Sequence, residues 1–126
     1  MDNIDLTNSE WYVLDCLWER SPQTVMELVA ALGDRLGWAK STTITTLRRM
    51  EDKGLLLCQI QGRAKHYSPA VPRDRAVRRE TRSFLDKVYR GSVGLMVSAM
   101  AQDKALSKEE IDELYEILRR AEEGQI

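Results

Sequence analysis

The chain has 126 residues, 43% apolar and 31% charged, with a formal net charge of −1, a composition typical of one small globular domain with an accessory element. A single histidine, two cysteines about forty residues apart and no phosphate-binding loop disfavour an enzyme, a disulfide framework and a metal site, and no cofactor is expected. The longest uncharged run, residues 91–102, is too short to cross a bilayer, and the acidic N-terminus lacks the apolar core of a secretory signal. We therefore expect a soluble, cytoplasmic protein with no membrane-inserted segment.

Three short helices are predicted in the first fifty residues. Capping boxes that begin at Thr7 and Thr24 open the first two, and Gly33 is the expected C-terminal residue of the second. The third begins near Ser41 and ends at Gly54. Its buried face is expected to consist of Ile44, Leu47 and Met50. A short link between the second and third helices matches a helix-turn-helix arrangement.

The hydrophobic period changes after the third helix. Residues 55–60 are apolar, a turn signal follows at residues 61–63, and a second short segment runs from Lys65 to Pro69. This pattern predicts a β-hairpin with a basic tip. Three helices followed by such a hairpin is the order of a winged helix-turn-helix.

Beyond the prolines at 69 and 72 the chain returns to helices, each with an apolar stripe that a single helix cannot bury. These helices either fold back on the winged helix or pack against a second chain, and we favour the second chain. The predicted fold is therefore mainly α with a small β-hairpin wing, divided into a winged-helix domain at 1–71 and a helical dimerisation domain at 72–126.

The neutral net charge hides a strong asymmetry. Residues 1–34 carry a formal charge of −6, residues 35–79 carry +8, and residues 80–126 carry −3. A basic middle segment between two acidic ends indicates a polyanionic partner. A solvated charged surface is the alternative.

The third helix is predicted to contact the bases and phosphates of DNA. Four β-branched threonines within five residues are poor for helix stability, but their hydroxyl and methyl groups suit phosphates, base edges and the thymine methyl. Arg48 and Arg49 follow one turn later and can reach phosphates or guanine, while Arg63 and Lys65 at the hairpin tip would contact the flanking backbone. The candidate DNA-binding residues are Lys40, Ser41, Thr42, Thr43, Thr45, Thr46, Arg49, Arg63 and Lys65.

A protein-binding winged helix that docks an acidic partner is the alternative function. It predicts no sequence preference on DNA. The threonine-rich helix argues against it, because an acidic protein surface calls for lysine and arginine more than for hydroxyl groups.

An ordered set of motifs spans nearly the whole chain: Leu6-Thr7-x-x-Glu10-Trp11, Thr24-Val25-x-Glu27-Leu28, Ser41-Thr42-Thr43-Ile44-x-Thr46-Leu47-x-Arg49-Met50, Gly62-Arg63-Ala64-x-x-Tyr67-Ser68-Pro69 and Leu106-Ser107. In these residues the sequence resembles the penicillinase repressor family of bacterial transcription factors, also called the BlaI/MecI/CopY family. The resemblance implies a homodimeric repressor whose winged helix binds half of a palindromic double-stranded DNA operator, often that of a β-lactamase or stress gene. Dimerisation is then expected of Phe84, Leu85, Val88, Leu95, Met96, Ile111, Leu114, Tyr115 and Leu118.

The resemblance also implies release from the operator by a sensor-linked protease. The cleavage position of the family aligns with Ala99-Met100, where members that have this switch carry Asn-Phe and this chain does not. The copper-responsive branch has a cysteine-rich site near its C-terminus, whereas this chain has no cysteine after Cys58. Copper sensing by that route is therefore not expected.

Overall fold

A computed structural model describes residues 6–126; the acidic N-terminal residues 1–5, where a secretory signal was not expected, lie outside this range. The chain forms two compact units, one extending to Thr81 and the other comprising Arg82–Ile126, so the division falls C-terminal to the boundary expected at 71/72. Along the described residues the elements are α1 (Asn8–Glu19), β1 (Gln23–Thr24), α2 (Val25–Leu36), α3 (Lys40–Asp52), β2 (Leu56–Gln61), β3 (Ala64–Pro69), α4 (Arg73–Tyr89), α5 (Val93–Gln102) and α6 (Lys108–Glu122).

The helix ends follow the local sequence with two exceptions. The capping boxes at Thr7, Thr24 and Ser107 are all formed, each with its side chain accepting from the backbone N–H three residues on. Helix α2, however, runs past the expected stop at Gly33 and ends at Gly37, whose φ of 70° is the left-handed conformation that glycine adopts without strain. Helix α3 begins after Ala39 with no side-chain cap.

The wing is a three-stranded antiparallel sheet in the order β1-β3-β2. The predicted hairpin is present, and Gly62 turns it with a φ of 66°. Strand β1 was not predicted from the sequence. It has only two residues, and its pairing of Gln23 with Tyr67 is a long-range contact with no periodic signal of its own.

The core of the first unit joins the three helices to the sheet. Trp11 and Trp18, half-buried beside it, pack edge to face with their ring centroids 5.2 Å apart. The Trp18 indole N–H also donates to the Val71 carbonyl at 2.9 Å, which anchors the segment after the wing to α1. The largest fully buried apolar residues of this core are Val13, Leu14, Leu17, Leu28, Leu32, Leu47 and Met50. The fold is the predicted winged helix-turn-helix.

A partly buried ion pair connects the start of α1 to the end of α3. The Glu10 carboxylate is 0% exposed, and Lys53 Nζ donates to its two oxygens at 2.8 and 2.9 Å. One of those oxygens also accepts from the Thr7 backbone N–H at 2.9 Å. Burial alone would raise the pKa of Glu10, but these hydrogen bonds and the ammonium charge outweigh it, so the pKa of Glu10 lies below 4.5.

The second unit consists of the last part of α4 with α5 and α6. Ser92 caps α5 by accepting from the Leu95 N–H at 3.1 Å, and acidic residues in the first turn of α6 with arginines in its last turn complement the helix dipole. None of the helices within residues 6–126 is long and apolar enough to span a membrane.

Replacing Lys53 tests the ion pair. Lys53→Met leaves a buried carboxylate without its cation, and we expect the free energy of unfolding at pH 7 to fall by about 2–3 kcal/mol in urea titrations. Lys108→Met, which removes an exposed pair with Asp112, is the control and should change it by less than about 0.5 kcal/mol. Because the folded-state pKa of Glu10 is lowered, its contribution is complete above pH 4.5 and is lost as the pH falls further. Equal losses in the two variants would contradict this account.

Candidate nucleic-acid interface

Helix α3 has a buried face that differs from the predicted one. Thr43 and Thr46 are 0% and 3% exposed, together with Leu47 and Met50, whereas Ile44 is only half-buried. The Thr46 hydroxyl donates to the Thr42 carbonyl at 2.8 Å, within its own helix. The prediction that Thr43 and Thr46 contact DNA is therefore not compatible with this structure, because both side chains face the protein interior.

The hydroxyl of Thr43 is a buried polar group on the inner face of α3. It is fully buried and has no hydrogen-bond partner within the described part of the chain. A buried hydroxyl without a partner costs about 1–3 kcal/mol. Thr43 thus fills space in the core like a valine, and its hydroxyl makes no stabilising hydrogen bond.

The exposed face of α3 is polar and basic. Ser41, Thr45 and Arg48 follow one another at helical spacing along its centre, and Thr42 and Arg49 flank them. Lys40, also exposed, is the first residue of the helix. The candidate set drawn from the sequence contained Arg49 but not Arg48, although the spacing of three residues from Thr45 places Arg48 on the same line.

The wing brings two further candidates onto the surface. Arg63 follows the turn glycine, and Lys65 lies one residue into β3; both are exposed. Lys65 Nζ is 3.8 Å from Glu51 Oε1 in the last turn of α3. The basic wing and the exposed face of α3 therefore meet at Glu51.

A cleft of about 270 Å³ separates α3 from the wing. Apolar side chains from α2 and α3 line it together with both signs of charge: Val25, Ile44, Leu47, Arg48, Glu51, Asp52, Lys65 and Tyr67. Within residues 6–126, no group of three His, Cys, Asp or Glu side chains is arranged to hold a metal ion.

The candidate dimerisation residues divide into two groups. Leu85 is buried and Met96 and Leu114 are half-buried within the single chain. The other six are large apolar side chains left exposed, namely Phe84, Val88, Leu95, Ile111, Tyr115 and Leu118. Two apolar grooves of about 290 and 320 Å³ run between α5 and α6. Contiguous exposed apolar surface is often found at interaction sites.

The Ala99-Met100 bond lies within helix α5. Ala99 is half-buried and Met100 is 40% exposed. The backbone there is helical, so a protease that binds its substrate in an extended form would first have to unwind this turn.

Comparison with known proteins identifies the family. The family model described as penicillinase repressor matches residues 6–120. The chain belongs to the penicillinase repressor family. Membership makes it a DNA-binding transcriptional repressor rather than an enzyme, as the sequence predicted.

Curated relatives in this family match almost end to end. The penicillinase repressor of Bacillus licheniformis is 31% identical over 113 residues, which cover 90% of this chain and 88% of the relative. The methicillin resistance regulatory protein MecI of Staphylococcus aureus strain N315 is 24% identical over 95% of this chain and 99% of its own.

Solved structures support the winged helix. The DNA-binding domain of the repressor BlaI is 27% identical with a TM-score of 0.52, covering 58% of this chain and 90% of that one. A monomeric form of Bacillus licheniformis BlaI, solved in complex with the blaP half-operator, matches with 25% identity and a TM-score of 0.52 over 58% of this chain and 89% of that one. MepR of Staphylococcus aureus, at 22% identity and a TM-score of 0.54 over 97% of this chain and 82% of that one, shows likeness of fold alone.

Two threonine variants separate the faces of α3. Thr45→Ala on the exposed face should weaken DNA binding by about tenfold, through the loss of a base or phosphate contact, without lowering the melting temperature. Thr43→Val removes the buried hydroxyl at constant shape, so it should leave DNA affinity unchanged and raise the free energy of unfolding by about 1 kcal/mol. DNA titrations and urea unfolding of both variants check this. A loss of affinity in Thr43→Val with its stability intact would restore Thr43 to the DNA-contacting set.

Proposed function

We propose that this penicillinase repressor family member binds a palindromic operator as a homodimer, with one winged helix on each half-site. The observation that carries this proposal is the exposed line of Ser41, Thr45 and Arg48 on α3, which lies beside the basic wing. A helix with short hydroxyl groups and arginines along one face fits the major groove and can contact base edges there.

The side chains have different roles on the DNA. Thr45 and Arg48, at the centre of the exposed face, would contact base edges, since arginine pairs bidentately with guanine. Lys40 and Arg49 lie nearer the margins and would contact phosphates. Arg63 and Lys65 would hold the flanking backbone, which sets register without reading sequence.

The second unit would form the dimer. The exposed apolar residues of α6, Ile111, Tyr115 and Leu118, lie on one helix face and would be covered by the same face of a second chain. A two-fold dimer presents its recognition helices one DNA turn apart, roughly 34 Å, or a multiple of it. The regulated gene would be a β-lactamase or stress-response gene by family membership, and the protein would act in the cytoplasm. Release by cleavage at Ala99-Met100 stays a prediction from the resemblance.

Footprinting on the promoter DNA next to the protein's own gene tests the operator. We expect a protected palindrome at nanomolar protein, and affinity should fall on the order of 10³–10⁵-fold between 50 and 200 mM salt if roughly six to ten phosphates are contacted. Arg48→Ala should weaken binding by roughly tenfold or more and relax the preference at one base pair.

Arg90→Ala is a matched control for that variant, because Arg90 is an exposed arginine of the second unit. It should bind the operator as the unchanged protein does. Weak binding that is indifferent to sequence would contradict the operator proposal and favour the docking of an acidic protein.

A charge placed on α6 tests the dimer. Leu118 is 62% exposed in the single chain, so Leu118→Asp should leave each chain folded but bury a carboxylate in the interface. Sedimentation should show monomers, with most of the operator affinity lost. Leu36→Asp, on an exposed leucine of the first unit, should remain dimeric. Unchanged dimers of Leu118→Asp would place the interface elsewhere.

A further inference from the structure

Glu51 in the last turn of α3 contacts the wing through two residues of β3. Its Oε1 accepts a hydrogen bond from the Tyr67 hydroxyl, and Lys65 Nζ lies 3.8 Å from the same oxygen. Residues 65 and 67 are two apart in the strand, so their side chains extend from the same side of the sheet. One carboxylate of α3 therefore holds two neighbouring positions of the wing.

Tyr67 lies at the middle of the sheet. It occupies the central strand, pairs with Gln23 on one side and Cys58 on the other, and is 3% exposed. Burial, the hydrogen bond to Glu51 and its negative charge all raise the pKa of the Tyr67 hydroxyl. The hydroxyl therefore keeps its proton and remains a donor throughout the physiological pH range.

The Tyr67–Glu51 contact lies where the buried base of the hairpin meets its exposed outer part. Every residue from Leu57 to Lys65 is exposed, and His66 is half-buried, so Tyr67 is the buried residue of β3 nearest the tip. Packing alone thus leaves the outer hairpin unsupported on the side of α3. The hydrogen bond at Tyr67 is the point where the direction of the tip can be set relative to the recognition helix.

We propose that the Tyr67–Glu51 hydrogen bond is a positioning contact for DNA binding, which orients the wing so that Arg63 and Lys65 reach phosphates while α3 occupies the major groove. The inference rests on the proposed function above and adds residues that do not themselves contact DNA. A contact that served folding alone would change stability and leave the wing's share of the affinity intact.

A double-mutant cycle on the operator separates these roles. Tyr67→Phe keeps the ring and removes only the hydroxyl, so operator affinity should fall about tenfold. The slope of log affinity against log salt concentration should become shallower by an amount that corresponds to the loss of about one to two phosphate contacts. Arg63→Ala should lower operator affinity in the unchanged protein but only slightly in the Tyr67→Phe background, because there the wing has already lost its contacts with the DNA phosphates. Losses that multiply, with an unchanged salt slope, would overturn the proposal.

Two further variants serve as controls. Glu51→Gln keeps an oxygen acceptor for the Tyr67 hydroxyl but removes the charge that pairs with Lys65, so its salt slope should be at least as steep as that of the unchanged protein. A shallower slope would overturn the assignment to the hydrogen bond. Val13→Ala destabilises the same core but leaves the Tyr67 hydroxyl and Glu51 in place. Compared at a temperature where all variants are folded, it should keep both the affinity and the salt slope, and a decrease like that of Tyr67→Phe would assign the effect to stability.

Hydrogen exchange of the DNA-free protein distinguishes failure of this inference from failure of the operator proposal. In Tyr67→Phe the amides of residues 57–66 should exchange at least several-fold faster, with those of α6 unchanged. If no operator is protected by the unchanged protein, the operator proposal fails, while the exchange still reports whether the hydrogen bond holds the wing. Unchanged exchange in the wing would overturn the positioning role directly.

Discussion

The C-terminal end of α3 is held by two carboxylate contacts, and the position of this helix depends on them. Glu10, completely buried at the start of α1, binds Lys53 just beyond α3, and Glu51 in its last turn accepts from Tyr67 of the wing. The first contact carries a large desolvation cost, which the lysine and the Thr7 N–H help to offset. Because hydrogen-bonded charges demand defined geometry, they orient the helix more strictly than apolar packing alone would.

Within residues 6–126, the exposed face of α3, which we propose binds DNA, has no such contacts. Ser41, Thr45 and Arg48 lie on the exposed side, opposite Leu47 and Met50, which are packed in the core. A rigid attachment on one side and polar groups on the other is what a DNA-reading helix requires, since its side chains must be presented at a set distance from the bases. If the apolar faces of the second unit form the proposed dimer, joining two modest half-site contacts would raise the overall affinity through effective concentration.

The threonines of α3 show where reasoning from the sequence failed. Polar residue type suggested that all four were on the surface, yet Thr43 and Thr46 are buried and Thr42 and Thr45 are not. Threonine has nearly the volume of valine, so it is accepted in a core when its hydroxyl bonds to its own helix, as in Thr46, or remains unpaired, as in Thr43. The apolar residues Ile44, Leu47 and Met50 predicted a buried face that is rotated slightly about the helix axis from the observed one, in which Thr43 and Thr46 are buried and Ile44 is half-buried.

The sequence by itself determined the order of helices and hairpin, the capping boxes at Thr7, Thr24 and Ser107, the basic middle segment and the family, because these depend on local spacing, turn chemistry and composition. The tertiary structure alone decided which side of α3 faces outward, the pairing of the two-residue strand β1, and the contacts of Glu10 with Lys53 and of Glu51 with Tyr67. Each of these joins residues 16 to 44 positions apart or depends on the packing of neighbouring elements. A local pattern carries no information about such contacts, since the free energy that selects them arises only when the elements meet.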